Sequence, residues 1–140
     1  MDFNRLIPEL SVSDYKESLN FYVNLLGFSV AYVREEERFA LISLQGAQLM
    51  LEERNYHWET GELEHPYGRG MNLQIEVDQI APLVEKLRRK GYPLFRDVRE
   101  KWYAVKDVFW GSREFLVQDP DGYLLRFAED VGVKTSSEMP

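Results

Sequence analysis

The chain is an imperfect internal repeat, and this property constrains its fold more than any other. Val12 recurs as Val77, 65 positions on, and Gly27 recurs as Gly91, 64 positions on. Gly46 recurs as Gly122 at the wider offset of 76, because the second half carries a longer middle hairpin. Each half reads strand, helix, strand, strand, strand. One helix covers only one face of such a sheet. Pairing the two sheets with their helices on the convex side leaves a concave face for something else. The expected fold is therefore α+β: paired βαβββ modules forming a curved mixed sheet with helices on the convex side.

Local signals place the elements. Residues 4–12 alternate, with Leu6, Leu10 and Val12 on one side and Ile7, Glu9 and Ser11 on the other, which predicts a strand; Pro8 suits its edge or its start. Asp14 opens a helix as N-cap, with Glu17 in capping-box spacing, and Gly27 ends it. Its buried stripe is Tyr15, Leu19, Tyr22 and Leu26. Strand-like runs follow at 28–34, 38–44 and 47–53. Residues 54–70 form a long loop with no periodicity, and long loops are often functional. The second half continues with a strand at 71–77, a helix marked by Ile80, Leu83, Val84 and Leu87 and ended by Gly91, and strand-like runs near 94–98, 101–108, 113–118 and 123–128. Asp119-Pro120-Asp121-Gly122 is a turn. These boundaries predict one domain over 1–130, built of modules at about 4–53 and 71–129, with 131–140 a flexible tail.

Composition narrows the function. There is no cysteine, which excludes a disulfide scaffold, a cysteine nucleophile and a thiolate metal site. Seventeen basic against 24 acidic residues leave a net charge of −7, unsuited to a nucleic-acid partner and better suited to a cationic ligand. No apolar run approaches the roughly 20 residues of a membrane span, and the N-terminus lacks secretory-signal character. The expectation is a cytoplasmic protein with no membrane partner.

Strand alternation sorts the faces. Leu6, Leu10, Leu49, Leu51, Leu73, Ile75, Val77, Phe115, Val117, Leu125 and Phe127 are expected toward the helices. The opposite parity faces the cleft and includes Glu9, Met50, Glu52, Asn72, Gln74, Glu76, Glu114 and Arg126. The competing reading makes these solvated residues on an open sheet face. Trp110, with Trp102 or Tyr103, supplies flat rings beside acidic groups, a surface for a planar cation; core or interface packing is the alternative. Four cleft positions are related by the repeat, Ile7 to Asn72 and Met50 to Arg126. A metal on the repeat axis would use them, yet isoleucine, methionine, asparagine and arginine are a poor donor set. His57 and His65 in the long loop match no zinc spacing, and no nucleophile motif or phosphate loop is present. No catalytic residue, metal ligand or cofactor is assigned.

Two segments, VSDYKESLNFYVNLLGF and GSREFLVQDPDGYLLRF, resemble the vicinal oxygen chelate superfamily of glyoxalases, extradiol dioxygenases, fosfomycin resistance enzymes and bleomycin resistance proteins. The resemblance covers about residues 4–129, and the run from Gly111 to the Asp119–Gly122 turn is most similar to the bleomycin resistance branch. It implies paired βαβββ modules, with the metal ligands of the metalloenzymes at Ile7, Met50, Asn72 and Arg126, where none survives. It also implies a homodimer that sequesters a cationic drug at the subunit interface, with Trp110 in the cleft-forming aromatic position. The expected ligand-binding residues are Trp110, Trp102, Tyr103, Glu9, Met50, Glu52, Asn72, Gln74, Glu114 and Arg126. The expected function is metal-independent binding of a cationic, partly planar small molecule of the bleomycin class. An orphan metabolite-binding module and a divergent metal-dependent isomerase, lyase or dioxygenase are the alternatives.

Overall fold

The structure is a computed structural model that describes residues 2–140. The chain divides into two compact units, Met1–Met71 with Asp119–Tyr123, and Asn72–Gln118 with Leu124–Pro140. The first contains β1 (Glu9–Val12), α1 (Tyr15–Leu19), β2 (Ser29–Arg34), β3 (Phe39–Leu44) and β4 (Ala47–Glu53). The second contains β5 (Leu73–Glu76), α2 (Ala81–Arg89), β6 (Arg96–Val105), β7 (Val108–Gln118) and β8 (Leu124–Thr135). Each unit is a βαβββ module. The sheet orders are β1-β4-β3-β2 and β5-β8-β7-β6, with the first-named pair of each sheet parallel and the others antiparallel. The repeat holds at the level of single residues. Glu9 sits opposite Met50, and Gln74, 65 positions on from Glu9, sits opposite Arg126, 76 positions on from Met50.

In the first unit Asp14 accepts the Glu17 amide at 3.1 Å and caps α1, as its position predicts. The helix widens into a π-helical segment, Asn20–Leu25, so the two together fill the span that the sequence reads as one helix. The stripe is buried at Tyr15, Tyr22 and Leu26, and with Phe21 and Phe28 it joins Leu10, Val12, Leu49 and Leu51 in the core. The Tyr22 and Phe28 rings meet edge to face at 5.5 Å. In the second unit Ile75, Val77, Phe115, Val117, Leu125 and Phe127 are buried with Ile80, Val84 and Leu87, and Phe115 stacks on Phe127 at 5.4 Å. Each fully buried side chain of this kind contributes about 1.5–3 kcal/mol, so the helix-facing parity carries the core of both units.

Three expectations change. Leu6 is 83% exposed rather than packed toward the helices. Strand β1 starts only at Glu9; just before it Pro8 O accepts the Met50 amide at 2.9 Å, and residues 2–4 are held beside β4 through side chains. Asn4 bonds the Gln48 carboxamide and Gly46 O, and Gln48 bonds Asp2 O. Without a ladder, the two-residue alternation does not reach Leu6. The runs near 94–98 and 101–108 are one strand, β6, bent by a register shift between Arg96 and Arg99 and ended by a turn at Lys106, not two strands. The segment after Asp130 is not a frayed tail throughout. β8 continues to Thr135, where Val133 pairs with Trp110 and Thr135 with Val108, followed by a short 3-10 turn over Ser136–Glu138. The long β6–β7 hairpin offers edge hydrogen bonds that residues 131–135 complete. Among the described residues, no helix is long and apolar enough to cross a membrane.

Candidate functional site

Each unit carries a cavity on the sheet face opposite its helix. In the first, Glu9, Ser11, Met50 and Glu52 share that face, since Glu9 pairs with Met50 and Ser11 with Glu52. A cavity of about 350 Å³ opens there, lined by Glu9, Ser11 and Glu52 from the sheet, Asn55, Trp58 and Leu63 from the long loop, and Tyr123. Glu52 is 8% exposed and accepts one bond from Asn55 Nδ2 at 2.7 Å. Burial, and after it the charge of Glu52, raise the Glu9 carboxyl above its ordinary range, with Arg34 opposing. Neither Glu9 nor Glu52 forms an ion pair among the described residues. Glu59, also in the lining, is different. Arg54 holds it with two bonds, Nε to Oε2 at 2.9 Å and Nη2 to Oε1 at 2.8 Å. The cavity thus holds two carboxylates that form no ion pair, with a 75% exposed indole, Trp58, in its lining.

In the second unit a cavity of about 400 Å³ is lined by Gln74, Glu76, Tyr103, Trp110, Ser112 and Arg126, among others. Tyr103 lies opposite Trp110 on the neighbouring strand, and Val133 flanks Trp110 from β8. The part of β8 that lies beyond the expected module boundary therefore braces the aromatic wall. Glu114 lies beneath, 2% exposed, accepting Tyr103 Oη at 2.8 Å and Ser112 Oγ at 3.1 Å. Burial, then this bond to Glu114, raise the Tyr103 hydroxyl above its ordinary range. Tyr103 therefore serves as a donor rather than a base.

The sequence-predicted site residues divide. Glu9 and Glu52 line the first cavity, and Gln74, Tyr103, Trp110 and Arg126 line the second. Met50 shares the face of Glu9 without lining the cavity, and Asn72 is exposed just ahead of β5. Trp102 is separated from the rest. It lies opposite Gly111, one residue out of phase with Tyr103 and Trp110, so it points to the other side of the sheet. There its indole N–H bonds Glu100 at 3.1 Å, and the Lys134 ammonium sits 4.3 Å from the ring. A side chain at Gly111 would meet this indole at 2.6 Å, so the glycine is the floor on which Trp102 lies. The loop residues Asn55, Trp58 and Leu63 are missing from the sequence-derived set. Their only signal there is the length of the loop and its aromatic content.

The fold's metal positions test poorly. Ile7 and Met50 in the first unit offer a hydrocarbon and a thioether. Asn72 and Arg126 in the second offer an amide and a fixed positive charge. These donors do not fit a divalent ion, and no group of three or more His, Asp or Glu among the described residues could hold one elsewhere.

A protein-family model described as the Glyoxalase/Bleomycin resistance protein/Dioxygenase superfamily matches residues 4–127. A bleomycin resistance protein of Geobacillus stearothermophilus is 28% identical over 134 residues, covering 89% of this chain and 96% of the relative. A lactoylglutathione lyase of Haemophilus influenzae is 28% identical over 132 residues, covering 90% and 92%. Among solved structures, a virulence protein from Salmonella typhimurium superposes with a TM-score of 0.67 at 21% identity, covering 94% of this chain and all of that one, a likeness of fold alone.

Proposed function

The chain belongs to the glyoxalase/bleomycin resistance protein/dioxygenase superfamily, and from that premise we propose that it is a metal-independent, homodimeric binding protein of the cytoplasm. It sequesters a cationic, partly planar small molecule of the bleomycin class. The observation that carries this reading is the Glu9–Glu52 pair, two carboxylates that form no ion pair among the described residues, in a cavity edged by Trp58 and Tyr123. A ligand cation relieves their mutual repulsion, and the indole gives it a π-face. The donor-poor metal positions and the bleomycin resistance relatives support the same reading.

The test is a tryptophan-fluorescence titration of chelator-treated protein with metal-free bleomycin. Saturable quenching near one ligand per subunit is expected. Trp58→Ala, which removes the indole beside Glu9 and Glu52, weakens binding about three- to tenfold, the worth of one stacked ring, without loss of folding. A flat titration, confirmed by calorimetry, overturns drug binding and leaves a metabolite-binding module of the same fold. The lactoylglutathione lyase relatives favour a second reading, a metal-dependent isomerase, lyase or dioxygenase. It requires a divalent ion to co-purify at about one per chain, and metal content well below that removes it.

A further inference from the structure

The second cavity contains a guanidinium, that of Arg126, with no ion pair among the described residues. Arg126 lies between Gln74 on β5 and Leu116 on β7, neither of which is charged. Its Nε is buried and has no hydrogen-bond partner. Two carboxylates share this face: Glu76, two residues along β5 from Gln74, is exposed, and Glu114, two residues along β7 from Leu116, is already engaged. One oxygen accepts Tyr103 and the other accepts Ser112. Arg113, in the same unit, shows the contrast, since it bridges Glu129 and Glu100, both at 3.2 Å. A buried guanidinium N–H without an acceptor is costly, and a planar carboxylate is the group whose geometry best matches the guanidinium edge.

We propose that Arg126 receives a carboxylate of the bound ligand, so that the molecule this cavity takes is a zwitterion rather than a simple cation. Its acid group lies on Arg126, its flat body lies against Trp110 and Tyr103, and its cationic end faces the exposed Glu76. This rests on the reading of the protein as a binder of a planar cation, extends it to the second cavity and adds the charge of opposite sign.

The experiment is calorimetry of the full chain with three probes, 4-(aminomethyl)benzoate, benzylamine and benzoate. In the unaltered protein the zwitterion binds at least about tenfold more tightly than benzylamine, the worth of one charge-assisted hydrogen bond. Arg126→Gln erases that ratio and Arg126→Lys restores part of it, while the Arg126 Nε–H resonance of the unaltered protein moves with the zwitterion and not with benzylamine. Equal binding of benzylamine and the zwitterion in the unaltered protein overturns the proposal even if Arg126→Gln fails to fold. An unchanged ratio in a folded Arg126→Gln protein also overturns it. Benzoate binding without benzylamine binding upholds the carboxylate at Arg126 and overturns the cation reading, so the two fail separately. Absence of binding by all three overturns both.

Discussion

Asp119, in the turn between β7 and β8, makes the stability of the first unit depend on pH in an unusual direction. Its side chain is 3% exposed. Oδ1 accepts the amides of Asp121 and Tyr123, both at 2.9 Å, and Oδ2 accepts the Tyr22 hydroxyl at 2.8 Å. Burial nevertheless outweighs these donors, and with the neighbouring Asp121 charge it raises the carboxyl to about 6 from an ordinary 3.8. A raised carboxyl pKa means that the folded state keeps its proton where the unfolded chain has released it. The stabilising contribution is therefore complete below about pH 4 and is lost as pH rises through about 6. At about 1.4 kcal/mol per tenfold change in proton affinity, the gap between the two values amounts to about 3 kcal/mol. Asp119→Asn removes the titration and keeps the shape. Its carbonyl oxygen still accepts both amides, and the Tyr22 hydroxyl turns to accept from the new amide. Urea unfolding of both proteins from pH 4 to pH 7 isolates the effect. The unaltered protein loses about 3 kcal/mol more than Asp119→Asn across that range. A difference between the two that stays flat, or moves in favour of the unaltered protein as pH rises, refutes the claim that burial dominates over the three donors.

Tyr103→Phe leaves buried Glu114 with a single donor, Ser112, and lowers unfolding stability by about 1–3 kcal/mol in urea. Gly122→Ala combines a backbone φ of +94° with a new methyl 2.4 Å from Pro66 Cβ and 2.5 Å from its Cα. It costs at least about 2 kcal/mol. Gly132→Ala, at φ +110° but with open space around the new atom, is the control and costs only the backbone strain of about 1 kcal/mol; thermal melts rank the two.

Much of the fold is legible in the sequence, and the reasons are local. Alternation placed Leu10, Leu49, Leu51, Ile75, Phe115 and Phe127 in the cores because the strand period is a property of the backbone. Asp14 announced the start of α1 because a short acceptor before an apolar stripe has one common use. The same alternation misplaced Leu6, since nothing in a short stretch says where a ladder begins. Aromatic content, without alternation, put both Trp102 and Tyr103 beside Trp110, although consecutive residues of one strand cannot share a face. The module boundary near residue 129 came from small and polar composition. Residues 131–135 are strand because β7 is long enough to pair with them.

The repeat, the parity of β1, β4, β5, β7 and β8 and the unsuitability of Ile7, Met50, Asn72 and Arg126 as metal donors were determined by the sequence alone, because each depends only on residue type and spacing. The pairing of charges was decided by tertiary structure. Glu59 is neutralised by Arg54 and Glu129 by Arg113, while Glu9, Glu52 and Arg126 are left open in their cavities. Attraction between two charges depends on their separation in space and on the water excluded around them. Both are set by which strands and loops the fold brings together.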